Sequence, residues 1–231
     1  MVFQGCVGRK GAGMYSVCGV LMQLKLEPLV ELACGQIYGF EVLSYPAYDA
    51  DVHVEAVFEE ATPLELWRAL DVQINELRAF TANGFNDIFF FINVDSRFFL
   101  MPGFARILMN KVKGLSVALE LSAPIGNDPV SMANYHALKN DGIAFWLDDY
   151  NGTIKDLDFS WDGVKLDKYF FWRHRDGDTS IRDYCDFMRV IFGDRLKLIC
   201  EGIERESDVS SAMSLSARFG QGFNFETIYF K

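Results

Sequence analysis

From residue 22 onward, the chain alternates short apolar runs with longer amphipathic stretches. The runs are rich in Val, Ile, Leu and Phe with little polar alternation, which is typical of strands buried on both faces of a helix-covered parallel sheet. The predicted strands cover residues 22–32, 36–43, 87–94, 115–121, 142–147, 163–166, 196–200 and 222–225. Apolar positions at helical spacing predict helices over 63–82, 97–113, 129–139, 180–191 and 205–218.

The order of these elements predicts an α/β fold, a (β/α)8 TIM-like barrel with an antiparallel first strand pair. Only a short turn around Cys34 and Gly35 joins the first two strands, so they should form a hairpin. The later strands are separated by helices, as a parallel barrel requires. A doubly wound open sheet is the alternative. We expect residues 1–20, which are glycine-spaced, to form a flexible tail, and residues 21–231 to form one barrel domain.

Polar side chains lie where the predicted strands end or within them. They are Glu41, Asn93, Glu120, Asp148, Asp149, Lys165, Asp167, Glu201 and Gln221. A carboxylate in an apolar strand is costly unless it is paired or binds a cation. In a barrel the carboxyl ends of the parallel strands converge on one face, so these acids would be crowded together there.

The residue types at these strand ends indicate the kind of metal. Carboxylate and amide oxygens are hard ligands, which favour Mg²⁺ or Mn²⁺ over zinc. Two divalent ions that share a bridging carboxylate are a known arrangement for hydrolysis of phosphodiesters. The pattern therefore predicts a two-metal site at one end of the barrel.

Composition limits the kinds of binding partner and the cellular compartment that we expect. The 231 residues carry a formal net charge of −10, so a DNA or RNA polymer is disfavoured as a partner. The five cysteines form no CxxC pair, which argues against a disulfide framework or a zinc ribbon and favours the cytoplasm. The apolar stretch 14–24 is too short to span a bilayer, so we expect no membrane span.

Seven segments together resemble the EAL domain, whose active members hydrolyse cyclic di-GMP to pGpG. LKLEPLVELACGQIYGFEVL resembles the opening strand pair, with EVL in place of EAL. FINVDS, ALELS and LDDYNG are similar to the VNLS, LEIT and DDFG segments of the family. VKLDK, CEGIERE and GQGFNF are similar to its KID, AEGVET and QGYLF segments. The segments occur in the family's order from residue 24 to residue 225.

The resemblance implies a role for each strand-end residue. Glu41, Asn93, Glu120 and Asp148 would hold one Mg²⁺ or Mn²⁺ ion, and Asp148, Asp149 and Glu201 the second. Lys165 would orient the water that attacks phosphorus, with Asp167 positioning Lys165 and Gln221 at the edge of the site. The resemblance implies that the substrate is cyclic di-GMP, that Lys165, Glu41, Asp149 and Glu201 are the catalytic residues, and that the domain forms a homodimer.

Four positions depart from the family's pattern. Tyr45 replaces an arginine that grips a substrate phosphate, and Glu27 replaces a glutamine at the substrate site. Ala123 replaces a glutamate that anchors the loop after the two aspartates, and that loop is itself divergent and shorter. These departures favour an alternative: an impaired domain that regulates by binding cyclic di-GMP or a protein partner. An unrelated metal-dependent barrel acting on another phosphate ester is a further alternative.

Overall fold

A computed structural model describes residues 13–48, 51–82, 88–193 and 195–230. Its strands are β1 (Tyr15–Val17), β2 (Val20–Glu31), β3 (Gln36–Pro46), β4 (Phe89–Asn93), β5 (Ser116–Leu121), β6 (Ala144–Tyr150), β7 (Gly163–Leu166), β8 (Lys197–Cys200), β9 (Phe219–Gly220) and β10 (Ile228–Tyr229). Its α-helices are α1 (Val54–Glu60), α2 (Pro63–Ala82), α3 (Phe104–Val112), α4 (Pro129–Asn140), α5 (Lys168–Arg175), α6 (Ser180–Phe192) and α7 (Glu206–Ser214). Short 3₁₀ helices cover Ser96–Leu100 and Ile154–Leu157.

Strands β2 to β9 close into an eight-stranded barrel. Each strand from β3 to β8 pairs in parallel with the next, and β2 pairs antiparallel with both β3 and β9. The β2–β9 pairing closes the ring, which excludes the open-sheet alternative. The predicted (β/α)8 barrel with an antiparallel first strand pair is therefore confirmed. Strands β1 and β10 add to β2 as short antiparallel partners.

Side-chain alternation along the strands divides the barrel interior into two layers. An apolar layer is formed by Leu29, Phe91, Ala118, Trp146, Ile199 and Phe219. Because alternate residues of a strand face the same side, the residue two positions further along each parallel strand also points inward, nearer the carboxyl ends. Five of these positions are Asn93, Glu120, Asp148, Glu201 and Gln221. The apolar layer is thus a packed floor beneath a polar layer.

The second hydrophobic core lies between the outer face of the barrel and the helices. Helix α2 contributes Leu66, Leu70, Ile74 and Leu77 at helical spacing, as its amphipathic pattern predicts. The buried amide of Asn134 on α4 adds a polar link. It accepts a hydrogen bond from the Ala105 backbone N–H and donates to the Phe99 and Met101 carbonyls, which joins α4 to the start of α3. These contacts hold the helical layer against the strands that carry the polar interior residues.

Two predicted elements differ from the observed ones. The last barrel strand was predicted over 222–225, but it is β9, Phe219–Gly220. Residues 222–225 form a turn in which Phe223 is 86% exposed. The helix predicted over 97–113 is divided into a 3₁₀ helix and α3, because Pro102 and Gly103 interrupt it and Gly103 has a φ of 80°.

The ordered structure also contains elements that the pattern did not predict. The expected loose tail ended at residue 20, yet β1 lies within it and pairs Tyr15 with Met22. Residues 1–12 of that tail lie outside the described residues. Helices α1 and α5 were also not predicted. Within the described part of the chain, every helix is too short or too polar to cross a membrane.

The apolar floor predicts a stability defect for Gly163→Ala. A Cβ at Gly163 would lie 2.3 to 2.5 Å from three atoms of the Trp146 ring, and the close-packed floor leaves little room for the ring to move. We expect a loss of about 2–3 kcal/mol, the upper part of the range for overpacked cores, measured by denaturant unfolding. In a Trp146→Phe background the same substitution should cost less. An equal cost in both backgrounds would show that the Trp146 ring is not the obstacle.

Candidate metal centre

The ammonium of Lys165 lies at the centre of the polar layer, surrounded by carboxylates from four other strands. Its Nζ is 2.8 Å from Asp148 Oδ1 and 2.9 Å from Glu201 Oε1. It is 3.0 Å from Glu41 Oε2 and 3.1 Å from Glu120 Oε1. The Lys165 side chain is only 1% exposed. The prediction that these strand-end residues converge is confirmed by this arrangement.

Two amides complete the ring of strand ends. Asn93 Nδ2 donates to Glu41 Oε1 at 3.0 Å and to Glu120 Oε2 at 3.4 Å. Gln221 Nε2 donates to Glu41 Oε2 at 2.6 Å and to Glu27 Oε2 at 3.2 Å. Glu41 therefore accepts hydrogen bonds from Asn93 on one side and from Gln221 on the other, which fixes the orientation of its carboxylate.

A β-bulge directs two consecutive aspartates toward the same site. Successive side chains of a regular strand point to opposite faces. The register of β6 against β7 shifts between Leu147 and Tyr150, and Asp149 has a φ of 52° in the left-handed region. A bulge of this kind re-aims a side chain, and Asp tolerates the left-handed conformation better than most residues do. The carboxylates of Asp148 and Asp149 thus both reach Glu201.

Burial and mutual repulsion raise the pKa of several of these acids. Loss of hydration, followed by the charge of Glu41, raises the pKa of Glu120 well above its usual value. Loss of hydration also raises the pKa of Asp148, the pKa of Glu201 to about 8, and the pKa of Asp149 to about 6, although Lys165 opposes each rise. The metal-free site therefore holds more acid than one ammonium can neutralise.

Glu41 and Lys165 are shifted toward their charged forms. Burial alone would raise the pKa of Glu41, but the charge of Lys165 and the hydrogen bonds from Gln221, Lys165 and Asn93 bring that pKa below its usual value. Burial opposes the charged form of Lys165, but the surrounding carboxylates raise its pKa well above the ordinary lysine value. Glu41 and Lys165 thus both favour their charged forms in this site.

The donor set fits divalent cations. Two groups of acids each bring oxygens within 4.8 Å of one another, namely Glu41, Glu120 and Asp148, and Asp148, Asp149 and Glu201. With Lys165, these five carboxylates leave a formal charge of −4 when all are ionised, the charge that two divalent ions would balance. Beyond their ion pairs with Lys165, Glu120 Oε1 and Asp148 Oδ1 have no hydrogen-bond partner among the described residues. Oxygen ligands of this kind suit Mg²⁺, Mn²⁺ or Ca²⁺.

A cavity of about 720 Å³ opens above the carboxylates. Its wall includes side chains that the sequence analysis did not select: Lys25, Lys168, Trp172 and Phe223, together with Val54 and Phe58 from α1. Trp172 is held by a hydrogen bond from its Nε1 to the Gly202 carbonyl at 2.9 Å. A signal for Lys25 was available, because in the strand sequence Lys-Leu-Glu the residues two apart share a face. For the aromatic wall residues the pattern carried no such signal.

The three single residues that depart from the family pattern lie in different surroundings. Glu27 lines the cavity and forms an ion pair with Lys25. Tyr45 is half-buried on β3, where its hydroxyl donates to Gln23 Oε1 at 2.7 Å and its ring packs edge-on against Tyr229. Ala123 is exposed.

The loop after β6 is packed against the barrel. Its Leu157 and Trp161 are buried, and Trp161 Nε1 donates to the Asp156 carbonyl at 2.7 Å. The hydroxyl of Tyr135 on α4 adds a hydrogen bond to the Ser160 carbonyl at 3.3 Å. The divergent sequence of this loop therefore forms an ordered segment next to the aspartate pair.

One further expectation, the role of Asp167, differs from the structure. We expected Asp167 to position Lys165, but Asp167 Oδ1 accepts hydrogen bonds from the Tyr169 and Phe170 N–H groups and caps α5. The aromatic run that follows is divided by the helix. Phe170 packs into the core, whereas Tyr169 is 62% exposed.

Comparison with known proteins agrees with this architecture. The EAL domain model matches residues 21–227, so the chain belongs to the EAL domain family. No curated protein matches the chain in sequence.

Three solved structures illustrate the shared fold. The EAL enzyme Bd1971 in its cAMP-bound form has a TM-score of 0.73 at 20% identity, over 90% of this chain and 62% of that one. The EAL domain of Mycobacterium smegmatis DcpA has a TM-score of 0.70 at 23% identity, over 89% and 91%. The Klebsiella pneumoniae BlrP1 complex with manganese and cyclic di-GMP has a TM-score of 0.73 at 18% identity, over 94% and 59%. This chain thus spans about three fifths of the length of Bd1971 and BlrP1.

The buried cluster predicts that Lys165→Met destabilises the metal-free protein. Removal of the ammonium leaves four neighbouring carboxylates without their common partner, and breaking a buried ion pair in this way costs about 3–5 kcal/mol. Unfolding in EDTA at neutral pH measures the loss. The matched control is Lys139→Met, whose ammonium pairs with the more exposed Asp162 and should cost about 0–1 kcal/mol. Equal losses in the two variants would contradict a central role for Lys165.

Proposed function

We propose that this chain is a metal-dependent phosphodiesterase that hydrolyses cyclic di-GMP to pGpG. The observation that carries the proposal is the position of Asp148, which belongs to both groups of acids that can hold a divalent ion. A carboxylate shared by two metal sites is the arrangement used for in-line displacement at phosphodiesters. The BlrP1 complex, which contains manganese and cyclic di-GMP, has the same fold.

The cavity supports a ligand of dinucleotide size. Its volume of about 720 Å³ lies within the range of small-molecule sites. Trp172 and Phe223 offer flat apolar surfaces on which bases can stack, and Lys25 and Lys168 offer positive charge for phosphates. The acidic floor alone would repel a phosphodiester, so cations at the floor are a condition for binding.

The residues then divide the chemistry between them. Glu41, Asn93, Glu120 and Asp148 would hold one divalent ion, and Asp148, Asp149 and Glu201 would hold the other. When bound, the ions supply Lewis-acid polarisation of the phosphoryl group and lower the pKa of water.

Lys165 and Gln221 prepare the site for the substrate. The Lys165 ammonium lies within hydrogen-bond distance of four carboxylates, so it orients a nucleophilic water held among them and offsets negative charge on the phosphoryl oxygens. Gln221 keeps Glu41 in one orientation through its 2.6 Å hydrogen bond. A rigid set of oxygens positions the water and the phosphoryl group for in-line attack without movement of the protein.

The first test is turnover of cyclic di-GMP by the purified protein with Mg²⁺ or Mn²⁺, followed by chromatography, in the wild type and in Glu41→Ala. We expect pGpG from the wild type and none from Glu41→Ala, because that variant loses an ion ligand and the partner of Lys165. The control is Glu31→Ala, at the opposite end of β2, where the side chain pairs with Arg218. Undiminished turnover by Glu41→Ala would refute the assignment of the site.

The shared carboxylate makes a separate prediction about stoichiometry. Calorimetric titration of the metal-free wild type with Mn²⁺ should give two ions. Asp149→Asn should retain the ion held by Glu41, Glu120 and Asp148, whereas Asp148→Asn should weaken both ions because it belongs to both groups. If Asp148→Asn retains one ion at wild-type affinity, the carboxylate is not shared. Thermal unfolding with added Mn²⁺ gives an independent readout, since binding to the folded state alone raises stability.

The second candidate function is regulation by binding without hydrolysis, either of cyclic di-GMP or of a protein partner. The position of Tyr45 favours it, because a hydroxyl that donates to Gln23 supplies no positive charge for a phosphate. Binding of cyclic di-GMP with no formation of pGpG under any divalent ion would select this candidate. The homodimer implied by the family resemblance stays a prediction.

A further inference from the structure

We propose that Lys25 binds a phosphate of the substrate in this site, with Glu27 holding its ammonium in place before the substrate arrives. The inference rests on the proposed function, since it concerns a ligand that carries phosphodiesters. It assigns a substrate contact to the antiparallel strand β2, which enters the barrel from the direction opposite to all the strands that carry the metal ligands.

The register of the first strand pair places Lys25 at the mouth of the cavity. Glu27 lies opposite Glu41, and Lys25 lies opposite Leu43, two residue pairs nearer the carboxyl end of β3. On its other side Lys25 pairs with Tyr229 of β10. Because Lys25 and Glu27 are two residues apart on one strand, both side chains point into the cavity, and both line it.

A chain of contacts connects Lys25 with the metal-binding floor. Lys25 Nζ forms an ion pair with Glu27 Oε1, and Glu27 Oε2 accepts from Gln221 Nε2 at 3.2 Å. The same Gln221 nitrogen donates to Glu41 at 2.6 Å. The lysine is therefore held in a fixed relation to the carboxylate that anchors the site, and a phosphate bound to Lys25 would be positioned relative to the floor.

The other nearby cations are less suited to this role. Lys165 is surrounded by four carboxylates and is 1% exposed. Among the described residues that line the cavity, the remaining cations are Lys25 and Lys168. The Lys168 ammonium lies 4.9 Å from the centroid of the Tyr169 ring. Lys25 is thus the lining cation that is linked to Gln221, through Glu27.

The ion pair with Glu27 does not prevent phosphate binding. An ammonium has three hydrogen-bond donors, so Lys25 can keep one on Glu27 and turn the others toward a phosphate oxygen. Its side chain is 24% exposed, which leaves the ammonium in reach of a ligand. The pairing also neutralises Glu27, whose charge would otherwise oppose an anionic substrate near Gln221.

A purely structural role for Lys25 makes a different prediction. If Lys25 only neutralises Glu27, its ammonium becomes dispensable once Glu27 is replaced by glutamine. If Lys25 contacts a phosphate, its loss weakens binding whether or not the carboxylate is present. Removal of Lys25 with Glu27 present and with Glu27 replaced by glutamine therefore distinguishes the two roles.

The experiment measures the dissociation constant of pGpG by calorimetry in Mn²⁺, which needs no turnover, for the wild type, Lys25→Met, Glu27→Gln and the double variant. Turnover of cyclic di-GMP by the wild type is followed in parallel. We expect Lys25→Met to weaken binding about tenfold or more in both backgrounds, as the loss of a charge-assisted hydrogen bond implies. Glu27→Gln alone should change affinity less than Lys25→Met, because the loss of positioning and the loss of a negative charge near the anion act in opposite directions. Lys113→Met, which removes an exposed lysine just before β5 at the other end of the barrel, should leave binding unchanged.

The outcomes separate this inference from the proposed function. Equal affinities of the double variant and Glu27→Gln, with normal binding and turnover by the wild type, would overturn the role of Lys25 alone. A wild-type protein that neither binds pGpG nor hydrolyses cyclic di-GMP would overturn the proposed function and this inference with it. Recovery of affinity by Lys25→Arg would further support a contact that depends on positive charge.

Discussion

The buried ammonium of Lys165 is the interaction on which the polar layer depends. Lys165 lies on β7, and its ammonium contacts carboxylates on β3, β5 and β6 and one directly after β8. One positive charge therefore links the ends of four other strands. The cluster is unbalanced without metal, because burial and repulsion favour the protonated forms of Glu120 and Glu201. Divalent cations bound among these acids would neutralise their excess negative charge.

The strand period explains how such a costly cluster is supported. Each inward polar residue of the parallel strands lies two positions beyond an inward apolar or glycine residue, so that the site rests directly on the packed floor. Gly163 leaves the space that the Trp146 ring fills, and Asp148 is two residues beyond Trp146. The bulge at Asp149 departs from this period, and it brings a second aspartate to the site.

Much of this arrangement could be predicted from the sequence, because the information is local and repeated. The apolar runs indicate the strands, and the polar residues at their ends, Asn93, Glu120 and Glu201, indicate that the site lies at the carboxyl ends. The floor and wall of the cavity were harder to predict. Strand β9 is only two residues long, and the apolar run after it is an exposed turn, in which Gly222 has a φ of 146° that favours glycine.

Tertiary contacts decide the remaining differences. Helix α5 contains a run of aromatic and basic residues whose division between core and surface depends on its packing against the barrel. The roles of Lys25 and Trp172 likewise follow from what lies across the cavity. Asp167 was assigned by its nearness in sequence to Lys165, whereas its position at the start of α5 makes it a helix cap. Spacing alone does not distinguish these two uses of an aspartate.

Closure of the ring through β2 and β9 has a consequence for how the site forms. Among the described residues, the ladder between these strands has two residue pairs, Val30 with Gly220 and Glu31 with Phe219. The hydrogen bond from Gln221 to Glu41 joins residues that are 180 positions apart in the chain. A fold with many contacts of such long range is expected to form slowly. Because Glu41 and Glu201 come from distant parts of the chain, cations that bind only the folded site would stabilise the closed ring.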